Sequence, residues 1–247
     1  MFGSGPRDQM DIYLSTKDNV DNKPLIVFIH GGRWHQGDKS MYTFFAEGLT
    51  SKGYDVAIPN YRLYPTVTYP NFLDDNAKAI AALHKKFPNR KMILIGHTAG
   101  GYNALAMVFM PQHLKKHGIE PCNLVGGVVS LAGPTGALPA TSELTLSIFP
   151  EKLQGEDSFL NHLDVLLPPL LLINGVKDTV VHPNNARLLA SKLESRSLAS
   201  LNVVEDANHS QVVSQFSTLP FLEGKVKTEV LDFIKKLPTQ HGGGFCR

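Results

Sequence analysis

The chain has 247 residues, of which 43% are hydrophobic and 19% charged, with a formal net charge of +2. This suits one α/β domain of ordinary globular composition and is too weakly basic to argue for nucleic acid or an anionic membrane surface as a partner. No apolar run approaches the roughly 20 residues a membrane span needs, and the N-terminal MFGSGPRDQMDIYLS lacks the basic-then-apolar pattern of a secretory signal.

In chain order, residues 10–14 alternate and read as an edge strand, and 18–23 as a polar turn. Residues 24–30 (PLIVFIH) form a continuous apolar run, the pattern of a strand buried on both faces. They lead into His30-Gly31-Gly32-Arg33-Trp34. Residues 41–52 have helical spacing and stop at Gly53; 55–59 form another buried strand, followed by Tyr61-Arg62-Leu63-Tyr64-Pro65. A helix is expected over 71–87 with Asn71 as its N-cap, then a strand at 92–95 and helical character over 102–110. Strands at 124–131, 170–174 and 201–204, and helices at 184–195 and 225–237, complete the pattern.

Nearly all-apolar strands alternating with helices predict a mostly parallel sheet covered on both faces. No repeat or composition break divides the chain, so residues 1–238 read as one domain and 239–247 as a flexible tail. Residues 133–163 are irregular and read either as a small cap or as a long crossover. Cys122 and Cys246 are expected as two free thiols in a reducing compartment, so the expected location is cytoplasmic. No His/Cys/Asp cluster has metal-ligand spacing and no nucleotide fingerprint is visible, so neither metal nor cofactor is expected.

The segment KMILIGHTAGGY, residues 91–102, has the order strand, tight turn, helix. Gly96-His97-Thr98-Ala99-Gly100 fits the G-x-S-x-G nucleophile elbow with Thr98 in place of Ser. Glycines are needed there because side chains would collide with the neighbouring strand and helix. A β-branched residue at the strained tip is unusual. The double glycine after the strand 24–30 leaves consecutive amide N–H groups bare, which suits binding of a developing oxyanion.

Together, HGGRW, NYRLYP and GHTAGG, in order and after successive strands, resemble the α/β-hydrolase fold superfamily, in particular its HGG-type carboxylesterases and kynurenine formamidase-like esterases. Trp34 two residues past the double glycine, with Gly37-Asp38-Lys39 after it, is more similar to the latter branch. The resemblance spans roughly residues 25–209 and departs at Thr98; the first strands of the usual sheet look truncated. It implies an α/β-hydrolase fold with a small cap or none, and catalytic groups in the order nucleophile, acid, histidine.

On that order the acid is Asp178, beyond the strand 170–174, and the base is His209, beyond the strand 201–204. Ligands of open α/β sheets bind outside that carboxyl edge. His97, His35 and His182 stay open as alternative histidines, and Asp206 as an alternative acid. The oxyanion donors expected are the amides of Gly31, Gly32 and Ala99. Trp34, His30 and His97 are candidate substrate contacts, with plain packing the alternative for Trp34.

Three functions compete: an acyl hydrolase for a small ester or amide using Thr98; a lyase, cyclising or proton-transfer enzyme on the same scaffold; and a ligand-binding member of the fold with impaired catalysis. A monomer or homodimer without nucleic-acid or membrane partners is expected.

Overall fold

Strand β1 (Met10–Tyr13) is half-buried and β2 (Leu25–Ile29) wholly buried in the computed structural model, for the reason their sequences differ. Alternation suits an edge, whereas a run such as LIVFI suits a strand covered on both faces. The structure describes residues 1–17, 23–136, 142–150, 158–194, 199–222, 224–237 and 246. The turn expected at 18–23 and the tail at 239–247 lie outside them, except for Lys23 and Cys246.

The chain continues through α1 (Thr43–Thr50), β3 (Val56–Pro59), α2 (Asn71–Lys86), β4 (Met92–His97), α3 (Ala99–Phe109), α4 (Gln112–Lys115), α5 (Pro121–Leu124) and β5 (Val125–Leu131). It ends with α6 (Glu143–Ile148), β6 (Leu170–Gly175), α7 (Asn184–Leu193), β7 (Ala199–Val204), α8 (Gln211–Ser214) and α9 (Lys225–Lys236). Asn71 begins α2 rather than capping it; Pro70 holds the cap position. Helix α3 starts three residues earlier than its apolar spacing indicates, because it is launched directly from the turn after β4.

The described strands form one sheet in the order β1-β3-β2-β4-β5-β6-β7, antiparallel only at β1–β3. Within β2 the side chains divide by twos. Leu25, Val27 and Ile29 pack on the side of α2, α3 and α7, with Phe72, Leu105 and Leu189. Ile26 and Phe28 pack on the side of α1 and α9, with Phe45, Val230 and Ile234. All eleven residues of α3 are buried, which explains why its sequence is apolar all round.

From β2 the chain moves outward to β3, then crosses back to β4 on the other side of β2 and continues away. This reversal opens a crevice at the carboxyl ends of β2 and β4, where ligands bind in such sheets. The double-glycine loop and the elbow residue both stand there.

A disulfide joins Cys122 and Cys246, with Cα atoms 5.6 Å apart. This corrects the expectation of two free thiols and removes the cysteine argument for a reducing compartment. The reason is tertiary: Cys246 lies against Cys122 of α5, 124 residues earlier, a proximity that no local pattern encodes.

Among the described residues no helix is long and apolar enough to cross a membrane.

Candidate active site

At the end of β4 the chain turns so tightly that two glycines are obligatory. A Cβ on Gly96 would lie 2.0 Å from the Gly100 carbonyl oxygen, and one on Gly100 would lie 2.0 Å from that of Ile29. The elbow is thereby pressed onto β2. At its tip Thr98 adopts φ 50°, ψ −117°, a conformation that costs a non-glycine residue about 1–3 kcal/mol and persists where surrounding structure over-determines it. The Thr98 amide donates to the Leu131 carbonyl at 2.9 Å, and its carbonyl accepts from the Tyr102 amide at 3.1 Å. The methyl Cγ2 occupies the space where a Gly31 Cβ would stand, 2.1 Å from that position. Gly31 is therefore what admits a β-branched residue at this tip.

The loop after β2 is held from several sides. His30 is fully buried and stacked on Tyr61, with ring centroids 4.4 Å apart. Its Nδ1 donates to the Gly31 carbonyl at 2.7 Å, and its Nε2 lies 3.3 Å from the Arg7 guanidinium. Burial lowers its pKa to about 4, so the ring is neutral at pH 7. Arg7 also donates to the Gly37 carbonyl at 2.8 Å and the Tyr61 carbonyl at 2.6 Å. Arg33 and Trp34 follow at φ 53° and 59°. Trp34 donates its indole N–H to Asn103 Oδ1 at 2.8 Å and packs against Phe72, Tyr102 and Phe149.

Asp178 and His209 meet at the ends of β6 and β7, 31 residues apart, with His209 Nδ1 donating to Asp178 Oδ2 at 2.8 Å. The other carboxylate oxygen accepts the amides of Val180 and Val181 at 2.9 and 2.8 Å. The Asp178 side chain is wholly buried, while 19% of the His209 side chain remains accessible. Because Nδ1 donates, Nε2 is the nitrogen free to accept a proton. Asp206, the alternative acid, is 93% exposed and paired with Lys177. Among the described residues no hydrogen bond joins Thr98 Oγ1 to His209 Nε2; such contacts tighten when substrate arrives.

A buried chain of hydrogen bonds ties these parts together. The Gly31 amide donates to Tyr42 Oη at 3.2 Å, and Tyr42 Oη lies 3.1 Å from His97 Nδ1. His97 Nε2 donates to the His209 carbonyl at 3.1 Å. A carbonyl only accepts, so Nε2 carries the hydrogen and Nδ1 accepts a hydrogen bond from the tyrosine O–H. Burial lowers the His97 pKa to about 4, keeping the ring neutral as this arrangement requires.

The structure corrects the expectations at Gly31, His30 and His97. Gly31 is not a free oxyanion donor, because its amide is bound to Tyr42; Gly32 and Ala99 keep amides without a protein acceptor among the described residues. His30 and His97 do not line the cavity beside Thr98; both are buried, and their ring nitrogens face the Gly31 carbonyl and Arg7, and Tyr42 and the His209 carbonyl, respectively. Tyr42 carried no local signal. Tyr42→Phe is expected to lower stability by about 1–3 kcal/mol, since two buried partners lose their bond, and to lower kcat more than KM. Thermal unfolding with steady-state kinetics checks this; an unchanged kcat would reduce the chain of bonds to packing.

The cavity beside Thr98 has a volume of about 460 Å³. Trp34 and Ala99 line it, with Leu144, Ile148 and Phe149 from the excursion after β5. Within residues 133–163, those described at 142–150 thus supply an apolar wall through α6. His182 also lines the cavity, with Nδ1 accepting the Asn184 amide at 3.2 Å. His35 lies on the double-glycine loop, with Nδ1 3.2 Å from the Gly32 carbonyl.

Residues 10–146 match the family model described as BD-FAE. The chain belongs to this family, one of the α/β-hydrolase families. The matched span includes the double-glycine loop and Thr98 and stops before Asp178 and His209. An isoprenylcysteine alpha-carbonyl methylesterase of Arabidopsis thaliana is 24% identical over 222 residues, 79% of this chain and 52% of that one. A kynurenine formamidase of Salmo salar is 25% identical over 181 residues, 73% of this chain and 59% of that protein. The chain thus spans little more than half the length of these curated relatives. The solved structure of esterase B from Lactobacillus rhamnosis superposes with a TM-score of 0.78 at 19% identity, covering 95% of this chain and 82% of that one. At that identity the likeness establishes the α/β-hydrolase fold of this BD-FAE chain and nothing further.

Proposed function

We propose that this chain is an acyl hydrolase of the carboxylesterase kind, acting on a small ester or amide. The observation that carries the reading is the Asp178–His209 pair, built at two strand ends beside the strained hydroxyl residue Thr98. In this reading His209 Nε2 takes the proton of Thr98 Oγ1 as the oxygen attacks the acyl carbon. The amides of Gly32 and Ala99 receive the oxyanion, aided by the positive end of α3. Collapse expels the alcohol or amine, which takes the proton from His209. Water, deprotonated by the same nitrogen, then releases the acid and restores Thr98. Asp178 stays ionised and stabilises the imidazolium. The similarity to proteins named methylesterase and formamidase supports an ester or amide as the bond cleaved.

The cavity walls of Ile148 and Phe149 favour short acyl groups, since each buried methylene contributes about 0.8 kcal/mol only where it has a surface to touch. Rates on a p-nitrophenyl ester series should fall beyond short chains, and a fluorophosphonate should label Thr98. Rates that rise to long chains would overturn the size assignment. Absence of both turnover and labelling would overturn the hydrolase reading.

A second reading rests on the missing Thr98–His209 hydrogen bond and the methyl packed over Gly31: proton-transfer chemistry by His209 without an acyl intermediate. Turnover without labelling at Thr98 would favour it.

A further inference from the structure

The cavity beside Thr98 carries its fixed charge on one side chain among the described residues. Among the described residues lining it there is no Asp or Glu, and the permanently charged side chain is Arg33. The nearby carboxylate, Asp178, is wholly buried with both oxygens engaged, so it offers nothing to a ligand in the cavity. Arg33 is also set apart from the other described arginines. Arg7, Arg62 and Arg90 each pair with a carboxylate, and Arg187 bonds Asn184. Arg33 is exposed and has no hydrogen bond or ion pair among the described residues. Its backbone is nonetheless held in a costly geometry, φ 53°, next to Trp34 at φ 59°. The Gly32 carbonyl accepts the His35 and Gln36 amides, the Trp34 carbonyl accepts the Tyr64 amide at 2.8 Å, and the Trp34 indole is bonded to Asn103. A guanidinium fixed at its root, without an ion-pair partner and beside a wall that holds no carboxylate among the described residues, is suited to a planar anion.

We propose that Arg33 recognises a carboxylate on the substrate, so that the preferred substrate is a small ester or amide carrying a free acid group. Trp34 and Phe149 would cover its carbon skeleton. This rests on the hydrolase reading for turnover, and the test separates the two.

The full chain and the variants Arg33→Gln and Arg33→Lys are compared on p-nitrophenyl butyrate and on mono-p-nitrophenyl glutarate, which differ chiefly in the terminal carboxylate. Wild type should favour the glutarate ester through KM. Arg33→Gln should lose about tenfold more kcat/KM on the glutarate than on the butyrate, which corresponds to one charge-assisted contact, and Arg33→Lys should lose less. Raising sodium chloride should erode the preference. Equal losses on both esters, or no preference in wild type, would overturn the proposal.

Should neither ester be turned over, the hydrolase reading fails and binding answers the remaining question. Calorimetry should then show phenylacetate, but not phenylacetamide, binding more weakly to Arg33→Gln than to wild type. Equal weakening, or no binding of phenylacetate to wild type, would overturn the carboxylate assignment by itself.

Discussion

Thr98→Ala is expected to reduce ester turnover to background, and Thr98→Ser to raise it about tenfold. The two outcomes belong together. The tip residue holds φ 50°, ψ −117°, and β-branching restricts χ1 where the oxygen must swing between base and substrate. Its Cγ2 fills the vacant Cβ position of Gly31, so the rotamer is set by methyl packing rather than by a bond to His209. Serine keeps the nucleophilic oxygen, releases that constraint, and relieves part of a strain of about 1–3 kcal/mol. The lost methyl burial, about 0.8 kcal/mol, works against this. A tenfold gain corresponds to about 1.4 kcal/mol in the barrier. Steady-state rates on p-nitrophenyl acetate and melting curves of both variants check this. Native turnover surviving in Thr98→Ala would transfer the protein to the proton-transfer reading, whatever the serine variant does.

Asp178→Asn is expected to cost about 10³–10⁴-fold in kcat while the protein stays folded. The amide oxygen can still accept the Val180 and Val181 amides, so the loop retains its anchors. The NH₂ group, however, would face the His209 Nδ1–H that now donates at 2.8 Å. Two donors cannot share a bond, so the ring must change tautomer and present a protonated Nε2 to Thr98. His209→Ala should match this loss, and the double variant should be little worse than either, as expected of groups that act as one unit. Asp206→Asn should change kcat less than about twofold, because an exposed pair such as Asp206–Lys177 contributes little. A larger loss at Asp206 than at Asp178 would reverse the assignment of the acid.

Some of this is written locally. A strand buried on both faces must be apolar at successive positions, which is why 24–30, 92–95 and 170–174 are legible without coordinates. The elbow is legible because a strand can turn into a helix this tightly only across glycines, and Gly96 and Gly100 each face a carbonyl oxygen at 2.0 Å from a would-be Cβ. The placement of Asp178 and His209 follows from strand order, since successive strands of a parallel sheet deliver their following loops to one edge.

What remains depended on contacts between residues far apart in the chain, and periodicity carries no information about those. Whether a histidine faces a cavity or a backbone carbonyl depends on which loop packs above it, so His30 and His97 looked like substrate contacts and proved to be braces. The Gly31 amide looked bare until Tyr42, 11 residues on, came within reach. Arg33 was visible in the motif HGGRW, but only the assembled cavity, where neither an acidic side chain nor a partner for the guanidinium stands among the described residues, sets it apart. Cys122 and Cys246 stand 124 residues apart and are joined by a disulfide that no local pattern foretells. Sequence by itself determined the buried strands and the elbow, because each is a property of neighbouring residues, while the order nucleophile, acid, histidine was what the resemblance to the α/β-hydrolases implied. Tertiary structure decided which polar atoms remain free for a substrate, because a hydrogen-bonding group is available only when folding has left it without a partner.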